Sequence, residues 1–357
     1  KKPSGVWIMA YTTIDNPELY FQTKLYTGDG SSRSITLDGS EDMQPDWVWI
    51  KARSQAYNHA VFDVVRGATK LIRANQTTAE ETHSTTLTAF NSDGFSLGGG
   101  DAFTNANTVT YVAWCWKAGG SSSSNSNGSR SSTVSANNDA GFSIVKWTGN
   151  NSNTTVGHGL NAAPSAIITK SLESTKQWAY GGDNLNNWNN YIPLSDTDVS
   201  YNDATMWNDT APTSTVFTVG TSNLTNSPSD MIGYCFVEKK GFSKFGSYTG
   251  NGDADGTFVY TGFRPAWFMA KRTNTAENWS MYDAKRNVNG TTNTLPLNAD
   301  NNSEESGNTG KNLDILSNGV KILTSNGELN GSGDSYIYLA FAESPFVNSS
   351  GVPNNAR

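Results

Sequence analysis

The clearest pattern of apolar and polar positions is a short frame that occurs three times. Pro45–Lys51 (PDWVWIK), Pro164–Lys170 (PSAIITK) and Pro265–Lys271 (PAWFMAK) each run proline, five mostly apolar residues, lysine. In the last copy Trp267 and Met269 alternate with Ala266, Phe268 and Ala270, the period-2 signature of a strand. Proline suits the first position of a strand, where no ladder N–H is needed. Three copies with identical internal spacing predict one unit used three times, and a repeat of this kind decides the fold.

Further alternating runs surround each frame. Tyr20–Tyr26, His59–Asp63 and Thr110–Lys117 accompany the first, Gly141–Gly149, Val216–Val219 and Met231–Glu238 the second. Gly241-Phe242-Ser243, one hundred residues after Gly141-Phe142-Ser143, opens the third, which continues through Trp279–Asp283 and Tyr336–Glu343. The framing lysine lies 12 residues before Asp63, 13 before Asp183 and 12 before Asp283. Turns are rich in Gly and Asn, and no run has helical periodicity. The pattern predicts an all-β chain of three tandem antiparallel β-sandwich, or jelly-roll, domains at 1–118, 140–239 and 240–347. A Ser/Gly/Asn-rich stretch at 119–139 reads as a flexible linker, and 348–357 as a polar tail. The short spacer between the second and third units predicts that those two associate more closely with each other than with the first.

Composition sharpens this. Only 16 % of the 357 residues are charged, while aromatics are 11 % and include 11 Trp. Such a chain has large apolar groups for cores and a polar, weakly charged surface. A net charge of -7 without a basic cluster argues against nucleic acid as a partner. No apolar run reaches membrane-spanning length, and the apolar stretch after Lys1-Lys2 is too short for a signal peptide. Cys115 and Cys235 fall at matching distances from the first and second frames, 70 and 71 residues after the proline, with Ala340 at 75 in the third. Equivalent positions in separate cores do not meet, so both are read as buried free thiols.

Asn16-Pro17-Glu18-Leu19-Tyr20-Phe21-Gln22-Thr23-Lys24-Leu25-Tyr26-Thr27-Gly28 resembles a domain family of marine bacteriophages. The third unit is similar to the same family at Tyr248-Thr249-Gly250-Asn251-Gly252, Gly262 to Trp267, Asp283 with Arg286, Asn318-Gly319 and Tyr336–Phe346; the second matches less well. The resemblance implies a concanavalin-A-like lectin sandwich, used in tandem in tail fibres or other virion components. It further implies a virion location, contacts with other virion proteins, and a homo-oligomer, a trimer by analogy with fibres. The family's biochemical role is undefined, so it names no ligand.

Candidate chemistry is sparse. Three histidines, His59, His83 and His158, give little basis for a triad or a His-rich metal site, and His59 at a strand start is read as structural. Asp63 and Asp283, with nearby glutamates, could supply paired carboxylates for glycan hydrolysis. Each precedes an arginine by three residues, however, and the Asp63–Arg66 and Asp283–Arg286 pairs are read as structural. The loop Asn251–Gly256 presents Asp253 and Asp255 in the manner of a calcium loop, with a hairpin turn as the preferred alternative because the acidic residue that closes an EF-hand is absent. Trp188, Tyr201 and Trp207 fall outside the strand frames and are the candidates for stacking on sugar rings, against the alternative that they cap a core or pack on a neighbouring subunit. The expected function is a non-enzymatic phage structural protein displaying lectin-like modules to host-surface glycans. The alternatives are a capsid cement protein that binds only virion partners, and a glycan-degrading enzyme.

Overall fold

Each frame becomes the middle of an antiparallel sheet. The computed structural model of the chain describes residues 10–287, 294–305 and 310–353; residues 1–9 of the expected N-terminal arm and 354–357 of the polar tail lie outside them. Strand Trp47–Ala52 lies between Thr110–Trp116 and Ala60–Asp63, Ala166–Ser171 between Asp230–Phe236 and Ala179–Gly182, and Phe263–Arg272 between Ser335–Pro345 and Trp279–Asp283. In the third copy the strand begins upstream of the frame, and the pairing register shifts on both sides of Pro265, where a bulge absorbs the missing N–H. The sheets follow the thirds of the chain, and a smaller outer sheet packs on each main one: Arg33–Ile35, Phe95–Leu97 and Leu87–Phe90 in the first, Thr154–Gly157 and Val216–Val219 in the second, Phe258–Tyr260, Gly319–Ile322 and Leu313–Leu316 in the third. The architecture is all-β, built of antiparallel sandwiches.

The three modules are not separate beads. In strand Thr110–Trp116, Tyr111, Ala113 and Cys115 face the module's own sandwich, whereas Val112, Trp114 and Trp116 face a core shared by all three. Strand Asp230–Phe236 repeats this: Met231 and Cys235 turn inward, Ile232, Tyr234 and Phe236 to the shared core. A strand buried on both faces needs apolar residues at every position, which is why the frames read as near-continuous apolar runs. Across the shared core Trp47 stacks on Tyr234 at 4.5 Å, Trp116 meets Trp267 at 5.7 Å, and Phe236 meets Phe341 at 5.7 Å. All three pairs of modules are thus in contact, the first with each of the other two as well as the second with the third.

The stretch 119–139 is also corrected. Ser123–Asn125 and Ser132–Asn137 are strands, the latter paired over six residues with Phe142–Thr148, so the segment extends the second module's main sheet. A sheet edge is held by backbone hydrogen bonds, which Ser and Thr side chains do not hinder, and Val134 supplies the buried contact. Gly120 N–H donates to Asp46 Oδ2 at 3.0 Å, fastening the segment to the first module.

Register shows how the modules close on one another. Trp47↔Asp63, Ala166↔Gly182 and Trp267↔Asp283 are matching pairs, so His59, Trp178 and Trp279 occupy one position. The ring N–H of each meets a backbone carbonyl of a neighbouring module: Trp178 Nε1 to Arg73 O (2.9 Å), Trp279 Nε1 to Pro193 O (2.8 Å), His59 Nε2 to Asn298 O (3.0 Å). Trp49 Nε1 donates to His59 Nδ1 at 2.7 Å, which fixes the tautomer with the proton on Nε2. A second circuit is backbone to backbone: Glu80 N–H to Leu172 O (2.7 Å), Ser200 N–H to Thr273 O (2.9 Å), Glu305 N–H to Arg53 O (2.7 Å). Each junction carries at least one bond of each kind, so the chain closes as a pseudo-threefold ring.

The framing lysines belong to this closure. Lys51, Lys170 and Lys271 are fully buried, not solvated strand ends. Lys170 Nζ donates to Thr77 O (3.1 Å) in the first module and to Ser174 O and Lys176 O in its own; Lys271 Nζ donates to Thr197 O (2.9 Å) in the second and to Glu277 O (2.7 Å). Lys51 bonds within its own turn, to Ala52 O at 2.7 Å, and Asn302 crosses that junction to Ala56 O at 3.1 Å. Burial lowers all three ammonium groups, Lys170 and Lys271 to about 8 and Lys51 to about 7, the last helped by the positive Arg286.

Two outcomes are expected. Urea unfolding followed by tryptophan fluorescence and by far-UV circular dichroism gives one coincident transition, and Trp47→Ala shifts it for both probes by about 3–5 kcal/mol; separate transitions would mean independent modules. Burial, then Lys51, lowers the His59 pKa well below its ordinary 6.5, so His59 folds neutral. Its stabilising contribution is complete above the unfolded pKa and is lost as pH falls below about 6.5, by up to about 1.4 kcal/mol per pH unit for one proton. Urea midpoints from pH 7.5 to 5 therefore fall more steeply in the wild type than in His59→Gln.

Candidate functional site

Trp188 and Trp207 are not stacking platforms. Each is 1 % exposed, and they meet edge to face at 5.5 Å inside the second sandwich. The second module's outer sheet has two strands where the other modules have three. The 183–210 loop folds back over the gap, through a turn at Asn186–Trp188 and a short helix at Ala204–Trp207, and its indoles fill the core. Trp188 Nε1 donates to Asp183 Oδ1 at 2.7 Å. Asp183 therefore holds a loop tryptophan, while Gly182 stands at the position of Asp63 and Asp283; the sequence spacing had placed Asp183 there.

The two predicted ion pairs form, and both are junction elements. Arg66 Nε and Arg286 Nε each reach their aspartate at 2.5 Å, and all four side chains are essentially inaccessible. Each carboxylate also receives a donor from the next module: Tyr234 Oη at 2.8 Å on Asp63 Oδ2, Trp114 Nε1 at 3.0 Å on Asp283 Oδ2. Tyr234 and Trp114 are equivalent in register, and the third member of that set is Leu339. The module set that lacks the acceptor at Gly182 thus also lacks a donor at Leu339. Buried carboxylates held this way bind neighbours together and leave no oxygen facing solvent.

Asp253 and Asp255 lie in a turn closed by its own groups. Asn251 Oδ1 accepts from Asp253 N–H at 3.0 Å, Asp253 Oδ1 from Asp255 N–H at 2.9 Å, and the Asp255 carboxylate pairs with Lys321 at 2.7 Å. Among the described residues no cluster of three or more His, Cys, Asp or Glu could hold a metal ion. Cys115 and Cys235 are free and buried, in two separate sandwich cores.

Of the three aromatic candidates Tyr201 does face solvent: it is 39 % exposed and stacks on Tyr191 at 5.6 Å. Beside it, at the junction of the second and third modules, a groove of about 440 Å³ is lined by Asn184, Asn190, Ser200, Ser247, Thr249 and Thr273, among others, and no lining residue is charged. Asn184 anchors its floor, accepting from Tyr180 Oη at 2.8 Å and donating to Gly246 O at 3.1 Å across the junction. Asn190 Oδ1 gathers the amides of Asn186 (3.0 Å) and Asn202 (3.1 Å), fixing the rim. Asn186, Asn187 and Trp188 are all left-handed, at φ 52°, 50° and 71°. Asparagine tolerates that region, but tryptophan there is a strained exception, held by its buried indole. Sequence reasoning found Tyr201 but missed the groove, because half of its wall comes from the third module.

These features define an all-β protein of antiparallel sandwiches with a polar, uncharged groove between modules. Residues 16–345 match the profile of a family described as a domain of unknown function, DUF7483, and the chain belongs to that family. No curated protein and no solved structure matches it.

Removing one junction donor leaves a buried carboxylate short of a partner. Tyr234→Phe is expected to cost about 1–3 kcal/mol in urea unfolding, although Tyr234 and Asp63 lie 171 residues apart; a change within error would show that the bond contributes nothing to closure.

Proposed function

We propose that this chain is a non-enzymatic structural protein of a bacteriophage particle, a tail fibre or a capsid-attached fibre or decoration, that recognises host-surface glycans through the groove between its second and third modules. The observation that carries the reading is the groove itself. Amide and hydroxyl groups line it without any charge, and Ser200 in its wall is followed by the exposed Tyr201, which stacks on the half-buried Tyr191. Hydroxyl-rich ligands are held by such groups, and an aromatic face adds apolar contact with a sugar ring. The sequence likeness to marine phage domains supports the particle assignment.

Against a hydrolase, Asp63 and Asp283 are fully buried in ion pairs, where neither reaches a substrate. The threefold arrangement that fibres make from three chains has a counterpart here within one chain. In the proposed particle one copy therefore fills the place of a homotrimer, and avidity comes from many attachment points.

The reading is tested with an array of neutral and acidic oligosaccharides. Binding is expected to be weak, of order 1 mM per site, confined to neutral sugars, and abolished by Asn190→Ala with Tyr201→Ala. Absence of all sugar binding, or binding unchanged in that variant, would remove the groove from the account. Detection of the chain by mass spectrometry in purified particles tests the particle assignment separately.

A further inference from the structure

One junction of the ring is underfilled. Thr23, Ile144 and Phe245 lie opposite Trp114, Tyr234 and Leu339 in strands Phe21–Thr27, Phe142–Thr148 and Ser243–Thr249, so the three positions are equivalent. Val64, Asp183 and Ala284 are likewise equivalent, their N–H groups bonding Asp46 O, Ser165 O and Ala266 O. The Tyr234–Asp63 bond marks Ile144 and Val64 as the matching pair at the junction of the first and second modules. The Trp114–Asp283 bond does the same for Thr23 and Ala284 at the junction of the first and third. That junction has the smaller side chain on each side.

The shortfall is a cavity of about 180 Å³, with apolar wall from Phe21, Ala266, Ala284 and Ala342. Protein interiors hold few voids larger than a water molecule, and a void forfeits the contacts of its lining. The polar groups around it are engaged elsewhere, with one exception. Gln22 Nε2 donates to Glu18 O (2.9 Å) and Glu41 O (3.0 Å), and its Oε1 accepts from Gly39 N–H (3.0 Å). At the mouth Asp38 pairs with Lys285 at 3.1 Å and Lys24 at 3.4 Å, Glu343 pairs with Arg264 at 2.9 Å, and Glu18 Oε2 accepts from Ser40 N–H at 2.7 Å. The exception is Thr23, which also lines the cavity. It is 4 % exposed, and its hydroxyl has no hydrogen-bond partner among the described residues. Ile144 and Phe245 show that the fold needs no hydroxyl at this position.

We propose that this cavity binds a small neutral molecule with a compact apolar body and one hydrogen-bonding group. Volume sets the body, since an apolar cavity of about 150 Å³ takes up benzene. The charges at the mouth are already paired, so an ionic guest would be desolvated against apolar wall without a free counter-ion. The Thr23 hydroxyl, which can donate and accept, sets the single polar contact. Because the walls come from two modules, the bound molecule spans the junction and adds to its closure.

The test is a nuclear magnetic resonance titration of the full chain with phenol, with toluene, benzylammonium and benzoate as comparison probes. Phenol is expected to give saturable shifts at the methyl groups of Ala266, Ala284 and Ala342, toluene to bind more weakly, and the two ions not to bind. Thr23→Val keeps the shape and removes the hydroxyl; it should lower phenol affinity about two- to tenfold and leave toluene unchanged. Thr23→Ile with Ala284→Val installs the residues of the other junction and should abolish binding of both, with an unfolding midpoint no lower than that of the wild type to verify folding; if it is lower, Thr23→Val alone decides. The proposal is overturned by an absence of saturable shifts, which would leave the cavity to water, or by shifts confined to the groove at Ser200 and Thr249. It is equally overturned by tighter binding of either ion than of phenol, by phenol affinity unchanged in Thr23→Val, or by binding that survives in the folded double variant.

Discussion

Everything in this structure depends on a ring N–H from one module reaching a backbone carbonyl of the next. His59, Trp178 and Trp279 make that contact at three equivalent junctions around one aromatic core. The bond satisfies a buried carbonyl that no strand in its own sheet reaches, and the ring around the N–H supplies apolar area in the same stroke. The Glu80, Ser200 and Glu305 amides close a second circuit, and the framing lysines fill the remaining carbonyls. Removing such a group deprives a buried carbonyl of a donor, and a buried polar atom short of a partner costs more than the bond itself contributes.

Closure also explains where the chain departs from its own symmetry. Asp63 and Asp283 each hold an arginine at their own module and a donor from the next, but Gly182 and Leu339 replace acceptor and donor together. The junction left without a carboxylate is the one between the second and third modules, and there Asn184 bridges to Gly246 and the uncharged groove opens. The exposed aromatic edge at Phe258–Tyr260 is a second departure, again confined to one copy.

Much of the fold was legible. Period-2 alternation gave the strands, the proline–lysine frame gave the repeat, and Asp–Arg spacing gave two buried ion pairs. What sequence missed has physical causes. A serine-rich stretch reads as linker because it has few large apolar side chains, yet backbone bonds to strands on both sides and one buried valine, Val134, hold Ser132–Asn137 in the sheet. Trp188 and Trp207 lie in loops, but a loop that covers a short outer sheet can be core. The burial of Lys51, Lys170 and Lys271 leaves no mark in the frame itself, because the carbonyls that receive them come from turns or from another module. The shared core is the largest omission: residues facing a module's own sandwich and residues facing its neighbours are equally apolar, and alternation alone cannot tell them apart.

The central claim is that closure, not each sandwich, makes the folded state. It is tested most directly by expressing residues 240–347 alone and recording its proton–nitrogen correlation spectrum. Severed from the shared core, the fragment exposes Trp267, Trp279 and Phe341, which are at most 2 % exposed in the whole chain, and should give collapsed, poorly dispersed peaks and aggregate. A well-dispersed spectrum with cooperative unfolding would contradict the account and restore three independent domains.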